Sequence, residues 1–95
     1  MSIESWRAEI DDLDRHLVVL LNRRARLAIE IGRLKAATGL AAQDATREAA
    51  ILSQARSANE GPLTGPAVER IFGLILRESR RAARTTVAAT ERGGR

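Results

Sequence analysis

Cysteine and tyrosine are missing from this chain, and histidine occurs once, as His16. Without thiols there is no disulfide framework and no thiolate metal site, and a single imidazole is a poor basis for a zinc centre. Neither a metal nor another cofactor is expected. Aromatic residues make up 2% of the 95 residues, Trp6 and Phe72 alone, which leaves no stacking platform for single-stranded nucleic acid. Long apolar runs are missing as well. Residues 17–21 are the longest aliphatic stretch, too short to cross a bilayer. Charged Glu4 and Arg7 stand where a signal peptide would carry its apolar core. A cytoplasmic protein with no membrane and no nucleic-acid partner is expected. No alternating strand pattern, internal repeat or low-complexity segment is visible, so one domain over residues 1–95 is expected, with a frayed tail at 90–95.

Positive charge is what the chain does have. The formal net charge is +4, which fits nucleic acid, an acidic lipid surface or a small anionic substrate; sign alone does not choose. The basic residues are dispersed over the helical patterns, although Arg77, Arg80, Arg81 and Arg84 gather near the C-terminus. Of the 16 basic residues, Lys35 is the only lysine. A compact ammonium kept at one place in a chain that otherwise uses guanidinium points either to a geometric need there or to chance retention.

Residues 3–37 read as a single long helix. Ile3, Trp6, Ile10, Leu13, Leu17, Leu20, Leu27, Ile31 and Leu34 step by three and four, which keeps one apolar stripe facing a partner. Arg24 occupies a slot in that stripe that should be apolar. At 1.5 Å per residue the helix is roughly 53 Å long, well beyond the ~30 Å of a small domain. A chain this short cannot cover such a seam, so a second copy is expected along it. Ser2 is the expected N-cap and Gly39 the C-terminal stop. Gly32 costs about 1 kcal/mol relative to alanine in mid-helix, so either another helix or a ligand comes close to the backbone there.

After a short connection, residues 38–43, Asp44 is expected to cap a second helix ending near Ala58, with Ala45, Ile51, Leu52 and Ala55 on its apolar side. Asn59-Glu60-Gly61-Pro62 is a strong turn signal. Thr64 is the expected cap of a third helix, with Pro66 in its first turn. Its stripe reads Val68, Ile71, Phe72, Ile75, then Ser79, then Ala82 and Ala83.

Arg24, Lys35 and Ser79 share one property: each lies on or beside a stripe that should be apolar. A buried charge is costly unless paired, and the stripe of the first helix offers no acid. An anionic ligand would fill that role. Arg24 and Lys35 are eleven residues apart in the sequence, three turns with about 20° left over, and so lie on one face about 16 Å apart. Glu48 borders the buried side of the second helix and is placed to accept from a ligand hydroxyl. Asp44 reads as a cap, and Arg47 either braces Glu48 or Asp44 or meets the ligand.

The runs Arg7-x-x-Ile10-Asp11-x-Leu13-Asp14, Leu20-Leu21-x-x-Arg24, Leu27-Ala28-Ile29-Glu30-Ile31-Gly32-x-x-Lys35, Asp44-x-x-Arg47-Glu48 and Phe72-x-x-Ile75-x-x-x-Ser79 resemble the all-helical chorismate mutase family. The resemblance covers residues 3–84. It implies an all-α intertwined homodimer of three-helix chains, without β-sheet, whose sites each borrow one arginine from the other subunit. The borrowing is sensible on this sequence: Arg7 stands seventeen residues before Arg24, about 25 Å away along a rigid helix, and can reach a site only on an antiparallel partner. The implied reaction is the rearrangement of the dianion chorismate to prephenate, which needs no nucleophile, metal or cofactor. By resemblance, Arg24 and the other subunit's copy of Arg7 bind the two carboxylates. Lys35 reaches a carboxylate and the ether oxygen, Glu48 accepts from the ring hydroxyl, backbone near Asp44 assists, Ser79 contacts a carboxylate, and Arg47 orients the set.

One position departs from the family pattern. Four residues after the serine the family has Gln or Glu donating to the ether oxygen, and here that residue is Ala83. Arg80, Arg84 or a water is a candidate substitute, and a relative of chorismate is a candidate for the preferred substrate. The same rearrangement on 4-amino-4-deoxychorismate, where an ammonium could pair with Glu48, is therefore an alternative. So is a catalytically idle helical dimer serving as a binding or regulatory module. Isochorismate-pyruvate lyase is disfavoured because the 38–43 connection has no cation to close over a substrate.

Overall fold

The computed structural model describes residues 2–41 and 43–93 as three helices, α1 (Ile3–Thr38), α2 (Ala45–Ala58) and α3 (Gly65–Gly93), with no strand among the described residues. Each helix starts where a side chain satisfies an orphan backbone donor. Ser2 Oγ accepts from the Ser5 N–H at 3.1 Å, and Ser5 Oγ accepts from the Ser2 N–H in return. Asp44 accepts from the Arg47 N–H at 3.0 Å and Thr64 Oγ from the Ala67 N–H at 3.2 Å. Helix α1 stops at Gly39, whose φ of 75° is the left-handed conformation a residue without Cβ adopts cheaply. There the N–H groups of Gly39 and Leu40 converge on the Lys35 carbonyl. The turn at 59–62 is held by the Asn59 side chain, which accepts from the Gly61 N–H and donates to the Leu63 carbonyl.

Helix α3 continues through residues 90–93; Ala42 of the connection and residues 94 and 95 of the tail lie outside the described residues. Among the described residues no helix is long and apolar enough to cross a membrane.

Helix α3 packs against both other helices, whereas the backbones of α1 and α2 do not come close to one another. The chain measures 57 × 29 × 13 Å. Its smallest dimension is close to the ~10–12 Å diameter of one helix with its side chains, so the chain is a single layer. Burial follows from that. Among the described residues only Val68, Leu76 and Ser79, all on α3, are buried, and α1 has no buried residue. Between two flanking helices, α3 turns inward the line Val68, Phe72, Leu76, Ser79, Ala83, stepping by four and three. Ile71, expected on its apolar stripe, falls off that line and is 48% exposed. Leu76, not expected there, is buried. Ala45 at the start of α2 is exposed rather than apolar-facing. On α1 the whole stripe from Ile3 through Trp6, Ile10, Leu13, Leu17 and Leu20 to Leu34 is more than half exposed. An exposed apolar face of this length is the mark of an interaction surface.

Gly32 marks the close approach of α1 to α3. A Cβ there would lie 3.4 Å from Ala83 Cβ and 3.6 Å from Val87 Cγ2, so the neighbouring helix does come close to the backbone at this point. Those are ordinary contact distances, so Gly32→Ala is expected to be neutral or to stabilise by up to about 1 kcal/mol through helix propensity. Gly32→Leu is expected to push α3 away and destabilise by about 1–3 kcal/mol; denaturant unfolding of both variants checks the pair.

Candidate active site

Because α1 and α2 each pack on α3 but not on one another, a gap remains between them, floored by α3. That gap is a cavity of about 760 Å³, within the size range of small-molecule sites. The second half of α1 contributes Arg24, Leu27, Ala28, Ile31, Gly32 and Lys35 to its wall. The first turns of α2 add Asp44, Arg47, Glu48 and Ile51, and α3 adds Leu76, Ser79, Arg80, Ala83, Arg84 and Val87. Aliphatic residues line much of it, yet five basic side chains face two carboxylates. A wall of that balance attracts anions.

Three features separate the cations. Arg24, half-buried, donates from Nη1 to Ser79 Oγ at 3.1 Å. The buried hydroxyl fixes the guanidinium without cancelling its charge. Arg24 and Lys35 have no carboxylate partner among the described residues. Lys35 stands in the last turn of α1, where its own carbonyl is the C-cap acceptor, so backbone geometry holds its Cα in place. Arg80, by contrast, is ion-paired with Glu48 across the α2–α3 contact, both side chains being more than two-thirds buried.

Of the residues singled out in the sequence, Arg24, Lys35, Asp44, Arg47, Glu48, Ser79 and Ala83 all line this one cavity. Arg7 does not; it is exposed on the second turn of α1. His16 is exposed and also outside it. The bracing alternative for Arg47 is corrected, while its side chain stays on the cavity wall. Its backbone N–H, not its guanidinium, meets Asp44, and the cation that braces Glu48 is Arg80. Arg80, a candidate substitute for the donor absent at Ala83, is tied to Glu48 through Nη1. The Glu48–Arg80 pair spans thirty-two positions of sequence, and no local spacing announces it. Leu27 and Ile31 were legible as a stripe, but not as a cavity wall.

Ser79 lends itself to a direct test. Ser79→Ala removes the hydrogen bond to a charged group and is expected to cost about 1.5 kcal/mol in denaturant unfolding. Arg24→Gln, which can still donate to the hydroxyl, is expected to cost less.

The described residues define an all-helical fold with an interhelical cavity whose charged side chains are mostly basic. The family model described as chorismate mutase type II matches residues 6–84. The chain is 34% identical over 79 residues to a bifunctional chorismate mutase/prephenate dehydratase of Stutzerimonas stutzeri, and 40% identical over 72 residues to one of Neisseria gonorrhoeae. These alignments cover 78% and 76% of this chain but 22% and 19% of those proteins, so the chain spans about a fifth of the length of the curated relatives it matches. The solved structure of chorismate mutase (form II) from Thermus thermophilus superposes with a TM-score of 0.80 at 35% identity, covering 81% of this chain and 88% of that one. The chain belongs to the chorismate mutase type II family.

Proposed function

We propose that this protein is a chorismate mutase, catalysing the [3,3] rearrangement of chorismate to prephenate. The observation that carries the reading is that Arg24 and Lys35, both without a carboxylate partner among the described residues, line one cavity with Ser79 and Glu48. In this reaction a C–O bond breaks as a C–C bond forms within one molecule. No proton is moved to or from the protein. The catalyst must hold a flexible dianion in its compact chair and stabilise negative charge growing on the ether oxygen.

Each side chain suits one part of that task. The Arg24 guanidinium, oriented by Ser79, presents a fork that matches a carboxylate. Lys35 concentrates its charge in one ammonium, as a single developing oxyanion requires. Glu48, held by Arg80, keeps a second carboxylate oxygen to accept from the ring hydroxyl. Ala83 supplies no donor to the ether oxygen, which leaves Lys35 the main stabiliser of that atom. The alternative of an idle dimer is disfavoured by the unneutralised cations, which cost desolvation energy and return nothing unless an anion binds.

A homodimer completes the site. Leu27 and Ile31 line the cavity yet remain 62% and 57% exposed, so one chain leaves the wall unfinished. A second α1 laid antiparallel along the exposed stripe would cover them and bring its own Arg7 to the cavity mouth.

Purified protein is expected to consume chorismate, and Lys35→Ala to lower kcat/KM by about 10²–10³. Absence of chorismate turnover, or full activity in Lys35→Ala, overturns the reading. Subunit sharing has its own test. Arg7→Ala and Arg24→Ala are each expected to be nearly inactive, whereas mixing the two under subunit exchange restores about a quarter of wild-type activity, since half the dimers then carry one intact site. No recovery on mixing would place Arg7 outside the site.

A further inference from the structure

We propose that the Arg80–Glu48 ion pair makes this site selective for a substrate carrying a ring hydroxyl and disfavours one carrying a ring ammonium, with Arg80 as the specificity-determining residue. The proposal rests on the reading of the cavity as a chorismate mutase site. Two carboxylates face the cavity, Asp44 and Glu48, and both are engaged. Asp44 caps α2 through the Arg47 N–H at 3.0 Å. Glu48 Oε2 accepts from Arg80 Nη1. The Glu48–Arg80 pair is well shielded, with side-chain exposures of 23% and 29%, so solvent screens it less than a surface pair.

A hydroxyl and an ammonium make different demands on Glu48. A hydroxyl donates one neutral hydrogen bond, which the remaining oxygen Oε1 accepts while Arg80 stays in place. An ammonium brings a full positive charge next to the Arg80 guanidinium, onto a carboxylate whose charge is already balanced. The surroundings add to the penalty, since Arg24, Lys35, Arg47 and Arg84 also line the cavity, while Asp44, its only carboxylate outside an ion pair, is tied to the Arg47 N–H as the cap of α2. Discrimination here is built from a repulsive element as much as from an attractive one. Arg80 does not touch the reacting bonds; it acts through Glu48.

The test compares kcat/KM for chorismate and 4-amino-4-deoxychorismate in the wild-type protein, Arg80→Gln and Arg80→Lys. Wild type is expected to prefer chorismate by at least about tenfold, and Arg80→Gln to narrow that preference at least about tenfold, mainly by lowering KM for the amino compound. Arg80→Lys, which keeps the charge, is expected to keep the preference. As a measurement independent of any variant, the amino compound is expected to inhibit wild-type chorismate turnover with an inhibition constant well above KM for chorismate. Equal or better use of the amino compound by wild type overturns the proposal. So does a preference unmoved in Arg80→Gln, or tight inhibition by the amino compound. In those cases chorismate is still consumed, and the parent reading stands. Failure to consume either compound sinks both.

Discussion

A layer one helix thick cannot bury its own side chains, and most of what is distinctive in this structure follows from that constraint. Protein domains reach stability by packing at least two layers around a core. Here α3 has neighbours on both flanks, but no second layer covers the three helices, so α1 carries an apolar stripe in the open. The same geometry creates the cavity. Two helices that meet a third without meeting each other leave a channel, and the channel's open side is the face that a second layer would close.

That half-open environment explains how cations survive in an apolar groove. Full burial of Arg24 or Lys35 without a counter-charge would cost several kcal/mol. Partial exposure in the single chain lowers that cost, and a dianion would remove it. The protein handles its charged groups in two ways. Arg24 is oriented by a neutral hydroxyl, so its direction is fixed while its charge stays available. Glu48 is oriented by an opposite charge, so its direction is fixed and its charge is balanced. The cavity thereby carries unpaired positive charge on its α1 wall, from Arg24 and Lys35, and a charge-balanced pair, Glu48–Arg80, where α2 meets α3.

Much of the fold was legible because helix ends are written locally. Ser2, Asp44 and Thr64 each reach a backbone N–H three residues on, and Gly39 takes the one conformation that ends α1; none of these depends on distant residues. The polar interruptions were legible for a related reason. Arg24 and Ser79 break apolar stripes of fixed period, and a break in a period needs no tertiary knowledge to see. Reading failed where two helices had to be placed together. Ile71 and Leu76 exchanged roles because α3 is flanked on two sides, which rotates its buried line away from the one its own periodicity suggests. The bracing of Glu48, one of the alternatives for Arg47, falls to Arg80, a residue on another helix and far along the chain.

From residue order alone came the helices, their caps and the positions where polarity interrupts an apolar stripe, since these rest on interactions within three or four residues. Tertiary structure decided which of those positions converge, which cation remains unpaired and which is spent on Glu48. Such choices depend on the angle and distance between helices, and those are set by packing across α3: by the close approach that Gly32 and Ala83 permit on one flank, and by the α2 contact that brings Glu48 to Arg80 on the other.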